Sequence, residues 1–127
     1  MAKRIYRLGE LQLKIMKCLW ERSEGTAVAI HNEVGKAEQL AFTTIATMLR
    51  KMEEKGLVEH RTEGRTFIYR PIVSEQEVSK SMSHDLLDRL FEGSVASLLS
   101  HLLSTREVSA GEVKELEQLL EEKKARK

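Results

Sequence analysis

The chain has 127 residues, 41% of them hydrophobic, 32% charged and only 5% aromatic, with a formal net charge of +1. That length makes one or two small units and excludes a large multidomain enzyme. No apolar run approaches the roughly 20 residues of a membrane span, and the basic start MAKRIYRLGE lacks the apolar stretch of a signal peptide.

Cys18 is the single cysteine and can close no internal disulfide, which suits a reducing cytoplasm. It sits between Ile15 and Leu19 in a helical pattern and reads as core filler. The small net charge hides an asymmetry. Residues 1–72 hold 13 Lys and Arg against 9 Asp and Glu, a balance of +4; residues 73–127 hold 8 against 11, a balance of −3. Two regions are expected, a basic 1–72 and an acidic 73–127, and the basic half weakly favours a nucleic-acid surface.

From Leu8 to Arg22 the apolar positions 8, 11, 15, 19 and 13, 16, 20 recur at helical spacing, and Ser23-Glu24-Gly25 ends the run. Thr26 is a candidate N-cap for a short helix carrying Ala27, Ile30 and Val34. After the polar link from Gly35 to Gln39, a helix opens near Thr43 and closes at Gly56, in the position that favours a left-handed residue. From Leu57 the period changes to two. One strand runs through Val58, His60 and Thr62 and a second through Phe67, Ile68 and Tyr69, with Gly64-Arg65 at the turn and Pro71 at the end.

The second half reads as all helix. Ser74-Glu75-Gln76-Glu77 and Ser109-Ala110-Gly111-Glu112 are capping-box patterns; the first helix runs to Glu92, Gly93-Ser94 breaks it, a second ends at Ser104, and the last frays into EEKKARK.

The helix near Thr43 carries an apolar stripe of Ile45, Met48, Leu49 and Met52. Its other face is Thr43, Thr44, Thr47, Arg50 and Lys51. Threonine is a mediocre helix former, so three in one helix need a reason beyond propensity. Hydroxyls and cations on such a helix suit phosphates, thymine methyls and guanine edges in a major groove. Arg65, at the hairpin tip, suits the flanking backbone or minor groove, whereas strand alternation could point Arg61 either way. The blander reading of Arg50 and Lys51 is a solvated face paired with Glu53 or Glu54. The expected fold is mainly α: a winged helix-turn-helix with a small β-hairpin wing, followed by a helical region.

That region is rich in Leu86, Leu87, Leu90, Phe91, Val95, Leu98, Leu99, Leu102, Leu103, Val113, Leu116, Leu119 and Leu120. Three short helices enclose so many large apolar side chains poorly on their own. A homodimer joined through them is the expectation, against the alternative that they fold back onto the winged helix. Two recognition helices related by a dyad would read a pseudo-palindromic operator.

Together, GTAVAIHNEV, TTIATMLRKMEEKGLVEHRTEGRTFIYRPIVSEQE and LLDRLFEGSVASLL resemble the penicillinase-repressor (BlaI/MecI/CopY-type) family of bacterial transcriptional regulators, over about Leu8 to Leu120. The resemblance implies a dimeric repressor on double-stranded operator DNA. It implies that Thr43, Thr44, Ala46, Thr47, Arg50 and Lys51 face DNA and that the wing is Glu63 to Thr66, with Ala46 replacing a longer polar side chain of some relatives. The β-lactam-responsive members have a partner membrane metalloprotease that cuts an Asn-Phe pair in the dimerisation region; here the matching residues are His101-Leu102. The paired Cys-x-Cys motifs of copper-responsive members are missing from this sequence.

Two other functions stay open on the residues: a winged-helix protein-interaction module without DNA function, and a regulator controlled by a ligand. No metal or other cofactor is expected, because His31, His60, His84 and His101 are scattered over separate predicted elements and structural zinc takes ligands at short fixed spacings. No phosphate loop, nucleophile elbow or HExxH motif points to an enzyme.

Overall fold

The computed structural model describes residues 5–126. Along the chain run α1 (Glu10–Arg22), β1 (Gly25–Thr26), α2 (Ala27–Ile30) continued by a π-helical turn (His31–Gly35), α3 (Phe42–Glu54), β2 (Val58–Glu63), β3 (Thr66–Pro71), α4 (Glu75–Phe91), α5 (Val95–Thr105) and α6 (Ala110–Ala125). This is the mainly helical winged helix-turn-helix expected from the pattern. The chain divides into two compact units, 1–83 and 84–127.

In the first unit the apolar stripes of three helices meet. Ile15, Met16 and Leu19 of α1, Ile30 of α2, and Ile45, Leu49 and Met52 of α3 are all fully buried. Each such side chain contributes roughly 1.5–3 kcal/mol by leaving water. Cys18 is buried with them, and burial together with a hydrogen bond to Glu33 pushes its thiol up to about 12. It is held as a protonated thiol, consistent with filler.

Local sequence sets the element ends. Thr26 caps α2, its Oγ1 accepting from the Ala29 N–H at 3.1 Å. Beyond α3, Gly56 takes φ +79°, the left-handed conformation that ends a helix cheaply only as glycine. Gly64 takes φ +62° at the first central position of the β2–β3 turn, which suits a two-residue hairpin of the Gly-X kind.

The hairpin is part of a three-stranded antiparallel sheet of order β1-β3-β2. Gly25 and Thr26 pair with Tyr69 and Ile68, which adds a third strand to the two expected. This strand ties the start of α2 to the wing. The other addition is the π-helical turn. Its extra residue brings His31 over Gly35, and the His31 Nε2 meets the Leu40 carbonyl at 2.8 Å while the ring stands edge-on to Phe42 at 5.9 Å.

The expected boundary at 72/73 and the compact-unit boundary at 83/84 bracket a segment packed on the first unit. Val73 and Val78 are buried, the Trp20 indole N–H donates to the Val73 carbonyl at 2.9 Å, and the Tyr6 N–H donates to Ser81 Oγ at 2.9 Å. The capping box at the start of α4 forms in both directions: Glu77 N–H to Ser74 Oγ at 3.0 Å, and Ser74 N–H to Glu77 Oε1 at 3.2 Å.

In the second unit Ser94 caps α5 and Ser109 caps α6. α6 continues through the charged tail to Ala125 instead of fraying early. Lys123 and Lys124 lie in its last turn, where cations suit the helix dipole. No described residue from 84 to 126 is buried.

The turn before α3 gives a direct test. A Cβ on Gly35 would lie 2.3 Å from His31 Cδ2 and 3.1 Å from Ile45 Cγ1. The His31 ring is anchored by its hydrogen bond, so Gly35→Ala is expected to cost about 1–3 kcal/mol in urea unfolding, the usual penalty for overpacking. An unchanged midpoint would show that the turn has room to give.

Candidate nucleic-acid interface

Burial of Ile45, Leu49 and Met52 turns the opposite face of α3 outward. Thr43, Thr44, Thr47, Arg50 and Lys51 are exposed there, and Ala46 is half-buried beside them. Met48 closes the edge of the apolar stripe, its sulfur accepting from Gln12 Nε2 at 3.6 Å. Thr43, Thr44, Thr47, Met48 and Lys51 line one shallow, open depression. Ala41 at the N-cap has no side-chain acceptor to offer the first-turn N–H groups.

The side chains of Arg50 and Lys51 have no hydrogen-bond or ion-pair partner among the described residues, nor does that of Arg65 at the exposed wing tip. The carboxylate of Glu53 is instead engaged by His60 of β2, whose Nδ1 lies 2.7 Å and 2.8 Å from its two oxygens. That contact, which no local pattern announces, joins the last turn of α3 to the wing.

The register sorts the wing into two faces. His60 pairs with Tyr69 and Thr62 with Phe67, and this face turns toward α3, where Tyr69 is buried. Burial holds the Tyr69 phenol above its ordinary value; the negative charge of Glu53 adds to this and Arg50 opposes it. Glu59, Arg61, Glu63 and Arg70 lie on the other face.

Arg61 is therefore directed away from α3 and is engaged there. Its guanidinium donates to both carboxylate oxygens of Glu24 and, at 3.0 Å, to Glu63. The Arg61 contact holds the Glu24 carboxyl below its ordinary range, while the two carboxylates hold the guanidinium further above its own. Arg70 pairs with Glu59. Of the proposed wing contacts, Arg65 has no ion-pair partner among the described residues and Arg61 is already neutralised.

The helical face, the core behind it and the hairpin beside it define a winged helix-turn-helix regulator. The penicillinase repressor family profile matches residues 8–122. The penicillinase repressor of Bacillus licheniformis is 34% identical over 98% of this chain and 98% of its own length. The transcriptional regulator BlaI of Mycobacterium tuberculosis is 32% identical over 98% of this chain and 90% of its own. The solution structure of the DNA binding domain of the repressor BlaI superposes with a TM-score of 0.53 at 32% identity, over 60% of this chain and 93% of that domain. A MarR family protein from Bacillus stearothermophilus shares the fold at TM-score 0.53, with 16% identity.

The chain belongs to the penicillinase repressor family. It is a DNA-binding winged-helix transcriptional repressor of the BlaI type and not an enzyme, which sets aside the protein-interaction module as the reading of the fold. Among the described residues no helix is long and apolar enough to cross a membrane.

The state of Arg61 is testable. Glu24→Gln removes its bidentate partner, so Arg61 becomes available to phosphate. Binding to random-sequence duplex is expected to tighten at low salt, with the salt slope steeper by up to about one per protomer. An unchanged slope would show that Arg61 stays with Glu63 or lies out of reach of the duplex.

Proposed function

We propose that this repressor works as a cytoplasmic homodimer, in which each protomer lays α3 into one major groove of a pseudo-palindromic operator. The observation that carries the reading is the outer face of α3: exposed hydroxyls and two unpaired cations on a helix whose other side is core. In this arrangement Thr43, Thr44 and Thr47 meet phosphates and thymine methyls, Ala46 leaves room against a base edge, and Arg50 and Lys51 reach bases or backbone. The uncapped N–H groups at the start of α3 suit a phosphate. Arg65 secures the flank, and Arg61 adds a contact only by exchanging a carboxylate for a phosphate.

DNA binding is assigned to residues 1–72 and self-association to 73–127, with the association surface beginning near Leu86. Leu86, Leu90, Val95, Leu102, Leu103, Val113, Leu119 and Leu120 are exposed in the single chain, and Leu87, Phe91, Leu98, Leu99 and Leu116 are only half-buried. Leu90 is 70% and Leu119 60% exposed. An apolar surface of this size on a lone chain favours a second copy. A dyad then spaces the two copies of α3 about 34–36 Å apart, one duplex turn, or a multiple of it.

Control by a ligand is a second reading with no specific feature behind it. Control by a partner protease would act at His101-Leu102, which lies inside α5, with the His101 carbonyl accepting from the hydroxyls of Ser104 at 3.0 Å and Thr105 at 2.7 Å. A protease reaches that bond only through local opening.

Two measurements separate the parts. Sedimentation at micromolar concentration should give twice the chain mass, and a monomer would remove the dimer. Arg50→Ala should cost about 1–3 kcal/mol on a duplex selected by the protein and less on random sequence. Equal losses on both would mean that Arg50 meets only phosphate.

A further inference from the structure

Arg50 has acidic residues three and four positions beyond it, Glu53 and Glu54, the spacings at which helix side chains meet. It pairs with neither. The arginine-before-glutamate order at i,i+4 is the weaker orientation, which accounts for Glu54. Glu53 is taken by the wing. A carboxylate only accepts, so the His60 Nδ1 carries a proton and donates to it, at 2.7 Å and 2.8 Å from the two oxygens.

The imidazole is held in place for this. Phe67 stacks on it with ring centroids 3.9 Å apart and planes 13° from parallel, and Tyr69, its cross-strand partner, lies at 5.7 Å. The His60 and Glu53 side chains are 27% and 31% exposed. Their contact is less screened by water and salt than an Arg50–Glu53 pair on the open helix face. On α3 itself, Arg50 is the cation at helical spacing from Glu53; positions 49, 56 and 57 are Leu, Gly and Leu.

We propose that His60 is a positioning residue for DNA recognition: by occupying Glu53 it keeps Arg50 unpaired and available on the outer face of α3. The proposal rests on the reading of Arg50 as a DNA contact. Without the imidazole donor, Glu53 turns to Arg50, and that pair must break at each half-site before the guanidinium reaches DNA. The wing thus contributes to recognition from its inner face as well as its tip.

The test is equilibrium binding, by fluorescence anisotropy, of full-length variants to a duplex selected from a random-sequence pool by the unaltered protein. His60→Phe keeps an apolar ring on Phe67 and removes the donor; His60→Asn keeps a donor. His60→Phe is expected to weaken binding roughly two-fold per half-site, or about four-fold over two half-sites, the strength of one helical ion pair counted twice. His60→Asn and the double variant Glu53→Gln with His60→Phe are expected to bind like the unaltered protein, because position 53 then offers no free carboxylate and Glu54 stands in the weaker orientation. Glu53→Gln alone should bind at least as well as the unaltered protein, and it decides the matter should His60→Phe not fold.

A loss in Glu53→Gln, or a His60→Phe loss that Glu53→Gln fails to restore, overturns the proposal, since the contact then only braces the wing. So does a His60→Phe variant of unchanged affinity when Arg50→Ala is impaired. Unchanged affinity in Arg50→Ala overturns instead the reading of Arg50 as a DNA contact, and the proposal with it.

Discussion

Burial of Ile45, Leu49 and Met52 sets the rotation of α3 about its own axis. The three side chains have no exposure at all and are held against α1, α2 and the sheet. A helix fixed on one side has no choice about what it presents on the other. The hydroxyls and cations of Thr43 to Lys51 face outward because turning them inward would desolvate charge and expose three large apolar groups. The same burial places the end of α3 beside the wing, so that Glu53 can meet His60.

Around that constraint the wing is a braced element. Its inner face is an aromatic cluster of His60, Phe67 and Tyr69, and its outer face is a set of ion pairs that neutralise Arg61 and Arg70. Charge near the outer face of α3 is thereby sorted. Cations that would otherwise crowd the neck of the hairpin are paired, and those on α3 and at the tip have no ion-pair partner among the described residues. A net charge near zero over the whole chain is compatible with a cationic outer face on α3 for this reason.

What the sequence disclosed was local. The stripe of α3, the Thr26 cap, the Ser74–Glu77 capping box and the alternation of the hairpin depend on residues a few positions apart, and each is found where the pattern put it. The two-residue β1 carries no periodicity, and its pairing with Ile68 and Tyr69 needs the fold to exist first. The π-helical turn adds one residue to a helical period that the apolar spacing of Ile30 and Val34 does not resolve. Candidate contacts on α3 were legible because a helix has two sides and one was apolar. The state of Arg61 was not, because Glu24 lies 37 residues away, nor was the engagement of Glu53, seven residues from His60 across a turn. In the second unit, leucine content pointed to self-association, and the exposure of those leucines in a single chain gives that expectation its physical reason.

Dimeric repression of the kind proposed requires two copies of α3 on one dyad. The most direct measurement is a footprint of the purified protein on the intergenic DNA beside its own gene, titrated with salt against random-sequence competitor. Two protected half-sites related by a pseudo-dyad, centred one helical turn or a multiple of it apart and lost steeply as salt rises, are predicted. No protection at low salt, or protection of one unpaired half-site, would contradict dimeric occupancy of an operator.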